Sequence, residues 1–211
     1  MITGYSPPFI VKKLFNDFIW QTSNNKILIT FDDGPSATTT PRILDFLAKN
    51  EIRAAFFCVG KNIRKDPELT KQVIKEGHLI ANHTMEHKLI NKMNISEAQE
   101  EIRSFNELMK EKFNYDIKYF RPPHGGFNLR TKGLLKTLDL KNVMWSLLSY
   151  DYENDFEKVK HGIDNHLREN SIVVFHDNIK SNSIIEESLN YTIKVAAKKA
   201  FDFGEPEDCL R

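Results

Sequence analysis

The chain has 211 residues, of which 28% are charged and 40% hydrophobic, and its formal net charge is +1. A chain of this length supports one good hydrophobic core, and the composition excludes a disordered or fibrous protein. The near-neutral balance gives no global basic field for gripping nucleic acid, so no nucleic-acid partner is expected.

In chain order, the N-terminal segment through residue 25 comes first. No basic residue precedes its apolar part, and Pro7, Pro8, Lys12 and Lys13 interrupt that part, so it does not read as a secretory signal. As written, the chain is expected to be cytoplasmic, or extracytoplasmic if an export signal has been removed. Phe9, Leu14, Phe15, Phe18 and Ile19 in this segment are expected to pack as a flap on residues 26–211, the catalytic unit; a membrane-surface helix is the other reading. No later run approaches the roughly 20 apolar residues that span a bilayer.

From residue 26 onward, short runs rich in β-branched and aromatic residues alternate with longer stretches of helical period. That is the pattern of βα units around a parallel sheet or barrel. Strands are expected at 26–31, 54–59, 79–82, 119–121, 143–148 and 172–175. Helices are expected at 40–49, 67–75, 96–113, 130–138, 156–168 and 183–200, with Ser96 and Gln99 forming a capping box at the third. Cys58 lies in an apolar run and Cys209 near the end, which reads as buried thiols and not as a disulfide.

The polar punctuation follows the strands: Asp32 and Asp33, His83 and His87, Arg121 to His124, Asp151, and His176 with Asp177. In parallel βα architectures the loops after the strands share one face, where active sites are built. Asp32-Asp33-Gly34-Pro35 taken alone is a turn, but two carboxylates at the mouth of an apolar strand need compensation. A bound cation would compensate one and leave the other free as a base. His83 and His87, four positions apart, are spaced for chelation on one helical face. The same stretch, His83-Thr84-Met85-Glu86-His87, also spells an inverted zinc-peptidase pattern with Glu86 as base. Arg121-Pro122-Pro123-His124-Gly125-Gly126 is a rigid loop, and His176 is a candidate for proton transfer. His78, His161 and His166 read as structural or solvated.

Together these residues resemble the NodB-homology polysaccharide deacetylases, carbohydrate esterase family 4, over about residues 26 to 177. The resemblance implies a single-domain, distorted (β/α) TIM-like barrel acting as a metal-dependent deacetylase on an N-acetylated carbohydrate, a chitin oligomer or a peptidoglycan-type amino sugar. It implies Asp32 as general base, Asp33, His83 and His87 as metal ligands, and Arg121 as the residue that orients the base. It further implies the His124 peptide N–H as an oxyanion donor, Asp151 as the support of His176, and His176 as general acid. The implied cofactor is a divalent metal ion, Zn2+ first and Co2+, Ni2+ or Fe2+ as alternatives, because such sites accept all four. The fourth motif departs from the family's Asp-x-x-Asp-Trp: Leu148 replaces the first carboxylate and Tyr152 the tryptophan. That change is expected to leave Arg121 one partner short and to reshape the wall facing the acetyl group. Besides the peptidase, the other reading is a glycan-binding protein of the same fold that has lost turnover.

Overall fold

Leu28, Thr30 and Asp32 alternate with Ile29 and Phe31 along one strand, and the pleat sends the two sets to opposite sides. The computed structural model, which describes residues 4–211, shows where each set goes. Its elements in order are α1 (Phe9–Leu14), β1 (Leu28–Asp32), α2 (Thr40–Lys49), β2 (Ala55–Cys58), α3 (Gly60–Lys65), α4 (Pro67–Lys75), β3 (Leu79–Asn82), α5 (Ile95–Phe113), β4 (Tyr119–Phe120), α6 (Leu129–Thr137), β5 (Lys141–Asn142), β6 (Leu147–Leu148), α7 (Phe156–His166), β7 (Ile172–His176), α8 (Ile185–Lys198) and α9 (Pro206–Cys209).

The seven strands form one sheet in the order β5-β4-β3-β2-β1-β7-β6, with every pairing parallel. The sheet curls into the expected distorted (β/α) barrel. Leu28 packs inside it with Ala55, Phe57, Leu79, Ala81, Tyr119, Val143 and Ile172. Ile29 and Phe31 pack outward with Phe56, Val173 and Phe175 against Ile43, Leu47 and Leu189 of the surrounding helices. Buried on both faces, β1 has the continuous apolar character typical of a parallel sheet. Cys58 and Cys209 are free and buried, as expected.

Three expectations need correction. The strand expected at 143–148 survives only at its end, as β6, with β5 lying just before it, because Arg121 takes the carbonyls of Val143 and Met144 out of the ladder and Ile19 forms a parallel bridge with Val143. The capping box of α5 is Asn94 with Glu97, not Ser96 with Gln99: Asn94 has extended backbone and an oxygen that accepts the Glu97 N–H, the geometry an N-cap requires. Finally, the N-terminal apolar residues divide. Phe18 and Trp20 are buried against Met144, Trp145 and Val174, with Val11, Phe15 and Phe127 alongside, whereas Phe9 and Leu14 are 79% and 66% exposed.

Candidate active site

The inward pleat that begins with Leu28 ends at Asp32, and the same alternation ends β7 on His176 and carries β3 and β4 on to His83 and Arg121. Four strands therefore deliver four chemically active side chains to one end of the barrel. Asp33, one residue past Asp32, would face the other way on a regular strand. Its left-handed backbone, with φ of 79°, turns the second carboxylate back toward the same cavity. That cavity measures about 340 Å3, and its walls include Asp32, Asp33, His87, His124, Tyr152 and His176.

Asp33, His83 and His87 each bring a ligand atom within 4.8 Å of the others. His87 Nε2 lies 3.0 Å and His83 Nε2 3.7 Å from Asp33 Oδ1. The surrounding groups orient this set for a cation. His83 Nδ1 lies 2.7 Å from the Arg121 carbonyl oxygen; a carbonyl only accepts, so Nδ1 carries the proton and Nε2 presents its lone pair. Burial pushes His83 down to about 4, keeping it neutral as a ligand must be. Asn178 Nδ2 donates to Asp33 Oδ2 at 2.7 Å, which leaves Oδ1 for the histidines, and Asn62 Nδ2 donates to the Asp33 carbonyl at 2.7 Å. Burial alone would raise the Asp33 carboxyl, but the His87 hydrogen bond and the surrounding imidazoles hold it well below the ordinary carboxylate range. The donor types, their protonation and their convergence fit a divalent metal ion.

The peptidase reading fails on backbone geometry. Residues 83–89 are not helical, Thr84 and His87 have φ of 69° and 59°, and Glu86 is exposed.

Asp32 lies on the other side of the metal set, with its Oδ2 4.0 Å from His83 Nε2. Arg121 is wholly buried and donates from Nη1 to Asp32 Oδ1 at 2.6 Å and to Thr30 Oγ1 at 2.9 Å. It also donates from Nε to the Val143 carbonyl and from Nη2 to the Met144 carbonyl, each at 2.9 Å, while its guanidinium stacks 3.9 Å above the Phe57 ring. The expected deficit from Leu148 does not arise, because two main-chain carbonyls and Thr30 fill the fork. Thr30 was findable by stepping back two residues from Asp32; the carbonyls belong to a strand break that has no sequence signal.

Beside Asp32 across the β1–β7 pairing stands His176, and its partner Asp151 is fully buried. Its Oδ1 accepts from Ser149 Oγ at 2.8 Å and from His176 Nδ1 at 2.7 Å, and its Oδ2 accepts the His176 N–H at 2.8 Å. Burial lowers the His176 pKa, but the Asp151 charge and hydrogen bond reverse that and raise it to about 9. His176 is thus an imidazolium at neutral pH, with Nδ1 tied to Asp151 and Nε2–H free. Tyr152 packs edge-on against this ring at 4.6 Å, and burial pushes its phenol up to about 12. His124 adopts φ of 55° within the turn Pro123–Gly125 and sets its ring 4.8 Å from that of His87. All nine residues singled out from the sequence come to this one end of the barrel. Asn62, Asn178 and Ser149 were missed; Asn178, directly after His176-Asp177, was the one whose position offered a hint. His78 accepts the Ala54 N–H at Nδ1 and is structural, as expected.

The fold is an α/β barrel whose strand ends gather a His2Asp set able to hold a divalent ion beside the Asp32 carboxylate and the His176 imidazole. A family model described as polysaccharide deacetylase matches residues 20–143, well over half of the chain, and the chain belongs to that family. It is 32% identical over 197 residues to a peptidoglycan-N-acetylglucosamine deacetylase of Bacillus cereus, covering 91% of this chain and 92% of the relative. In fold it matches the solved Bc1960 peptidoglycan N-acetylglucosamine deacetylase with a TM-score of 0.87 at 24% identity, covering 96% of both chains. It also matches BA3943 of Bacillus anthracis, described as a CE4 family pseudoenzyme, with a TM-score of 0.81 at 17% identity, covering 92% of this chain and 68% of that one.

Proposed function

We propose that this chain is a metal-dependent hydrolase that removes the acetyl group from an N-acetylated amino sugar of the peptidoglycan or chitin type, releasing acetate and a free amine. Residues 26–211 are the catalytic unit in this reading, and residues 1–25 are a segment packed on it. The observation that carries it is the meeting of Asp32, ion-paired to Arg121, and His176, hydrogen-bonded to Asp151, at the ends of neighbouring strands in one cavity that also contains the Asp33, His83 and His87 set.

A divalent ion held by Asp33, His83 and His87, Zn2+ first among the candidates, would supply Lewis-acid activation of water and of the acetyl carbonyl. The other roles belong to the chain. Asp32 takes the proton of the attacking water, and Arg121 keeps that carboxylate aimed. The His124 peptide N–H donates to the developing oxyanion, a contribution of about 3 kcal/mol for one such donor. His176 gives its Nε2 proton to the departing nitrogen, without which an amide is a very poor leaving group. Tyr152, beside His176, forms the wall against which the acetyl methyl rests.

The test is acetate release from chitin oligomers and peptidoglycan fragments, with Asp32→Asn and His176→Ala as inactive controls. A metal-loaded protein that binds the oligomer but yields no acetate across the panel would replace this reading with a binding protein that has lost turnover.

A further inference from the structure

The exposed large apolar side chains among the described residues are Phe9, Ile10, Leu14, Ile95, Leu129 and Ile179. Their places in the fold are not scattered. Ile95 and Leu129 are the first residues of α5 and α6; helices in a parallel α/β barrel run back against the strands, so these residues stand at the strands' C-terminal ends, the catalytic face. Ile179 follows β7 just beyond His176. α1 is tied to the same face, because Phe15 packs edge-on at 4.7 Å against Phe127, in the loop that also carries His124. Four separate segments therefore expose the large apolar side chains of the described residues at this end of the barrel.

The chemistry of this rim is aliphatic apart from Phe9. Isoleucine and leucine offer neither a flat ring to stack on a sugar nor a polar atom to bind a hydroxyl, so a glycan groove does not account for them. Insertion into hydrocarbon does. Cations accompany the apolar residues in three of the segments: Lys12 and Lys13 between Ile10 and Leu14, Arg130 after Leu129, and Lys180 after Ile179. None of these four makes an ion pair among the described residues, and Asp17, the carboxylate next to α1 in sequence, is taken by Lys132. No residue of α1 is fully buried: Val11 packs its inner side on the Phe18 and Trp20 cluster, and Phe9, Ile10 and Leu14 are left to solvent. Apolar residues interleaved with unpaired cations on one face are the make-up of an interfacial membrane anchor.

We propose that the rim of the catalytic face seats on an anionic lipid bilayer, with Phe9, Ile10, Leu14, Leu129 and Ile179 entering the headgroup layer. Lys12, Lys13, Arg130 and Lys180 then lie on the acidic headgroups. This claim does not depend on turnover, so it stands or falls separately from the deacetylase reading. The test is co-sedimentation of the full chain with phosphatidylcholine vesicles, plain or containing roughly 30% phosphatidylglycerol. The wild-type chain is expected to pellet with the anionic vesicles. Combined Phe9→Ser, Ile10→Ser and Leu14→Ser substitution should lower its partitioning by about tenfold or more, and Lys12→Glu with Lys13→Glu should remove the preference for phosphatidylglycerol. Because Phe9, Ile10, Leu14 and Lys13 are exposed and Lys12 is half-buried at the surface, the variants should unfold at the wild-type temperature. A wild-type chain that stays in the supernatant with both vesicle types, or an apolar triple variant that pellets equally well, overturns the proposal. Sedimentation velocity showing a wild-type dimer that the triple variant abolishes, with no vesicle binding, would assign the face to a second copy of the chain.

Discussion

Replacing Asp151 with asparagine keeps the shape of the side chain and removes its charge. The wild-type carboxylate accepts three hydrogen bonds, from Ser149 Oγ, His176 Nδ1 and the His176 peptide, and asparagine presents an NH2 to one of those donors. The rise of His176 from 6.5 to about 9 corresponds to roughly 3 kcal/mol favouring the imidazolium. Asp151 is the principal source of that preference, and burial opposes it, so the variant's imidazole should titrate near or below its ordinary value. A general acid works only while protonated; activity is therefore lost as pH rises through its pKa. The alkaline limb of kcat/KM, near pH 9 in the wild type, should move down by about 2.5 pH units or more in Asp151→Asn, and the rate at pH 8 should fall by about thirtyfold or more. The assay is acetate release across pH 5.5 to 10, roughly the span either side of the two pKa values. An active variant whose alkaline limb has not moved would refute the assignment of His176 as the acid supported by Asp151.

Three further outcomes are expected. Asp33→Ala and His87→Ala should each lose bound metal, measured by elemental analysis after dialysis, whereas Asp32→Asn should retain it and lose turnover; full metal occupancy in the first two would mean the ligands are wrongly assigned. Arg121→Ala leaves the largely buried Asp32 carboxylate without its guanidinium, which should destabilise the fold by about 3–5 kcal/mol in denaturant titration; a loss below about 1 kcal/mol would contradict the reading of this pair as buried and mutually dependent. Gly34→Ala places a Cβ on the buried Asp177 carboxylate, so it should destabilise the protein and weaken metal binding together through the turn that aims Asp33. Wild-type affinity and stability in that variant would show that the turn yields freely.

The elements most legible in the sequence were those set by the strand pleat. Two-residue alternation is enough to send Asp32 and His176 to the inside of the barrel beside Leu28 and Ile172, and the shared face of parallel strands gathers them. Asp33 was legible as a ligand only through resemblance, because a regular strand would face it outward and its φ of 79° is not encoded in its residue type. The Arg121 contacts were misjudged for a related reason. Counting carboxylates in a motif ignores main-chain acceptors, and the carbonyls of Val143 and Met144 become available only where the strand breaks. The cap at Asn94 was displaced by two residues because Ser96 and Gln99 satisfy the same spacing, and only the extended backbone at Asn94 decides between them. The N-terminal segment carried too little periodicity to show that Val11, Phe15 and Phe18 would turn inward and Phe9 and Leu14 outward.

The central claim is that Asp33, His83 and His87 hold a metal that Asp32 and His176 use to release acetate from an N-acetylated amino sugar. The most direct measurement is the yield of acetate and of new primary amine from a peptidoglycan fragment, using chelator-stripped protein before and after Zn2+ is restored. The account predicts no product from the stripped protein and equal amounts of acetate and amine after restoration. Product from the stripped protein, or none from a restored protein shown to carry its metal and to bind the fragment, would contradict it.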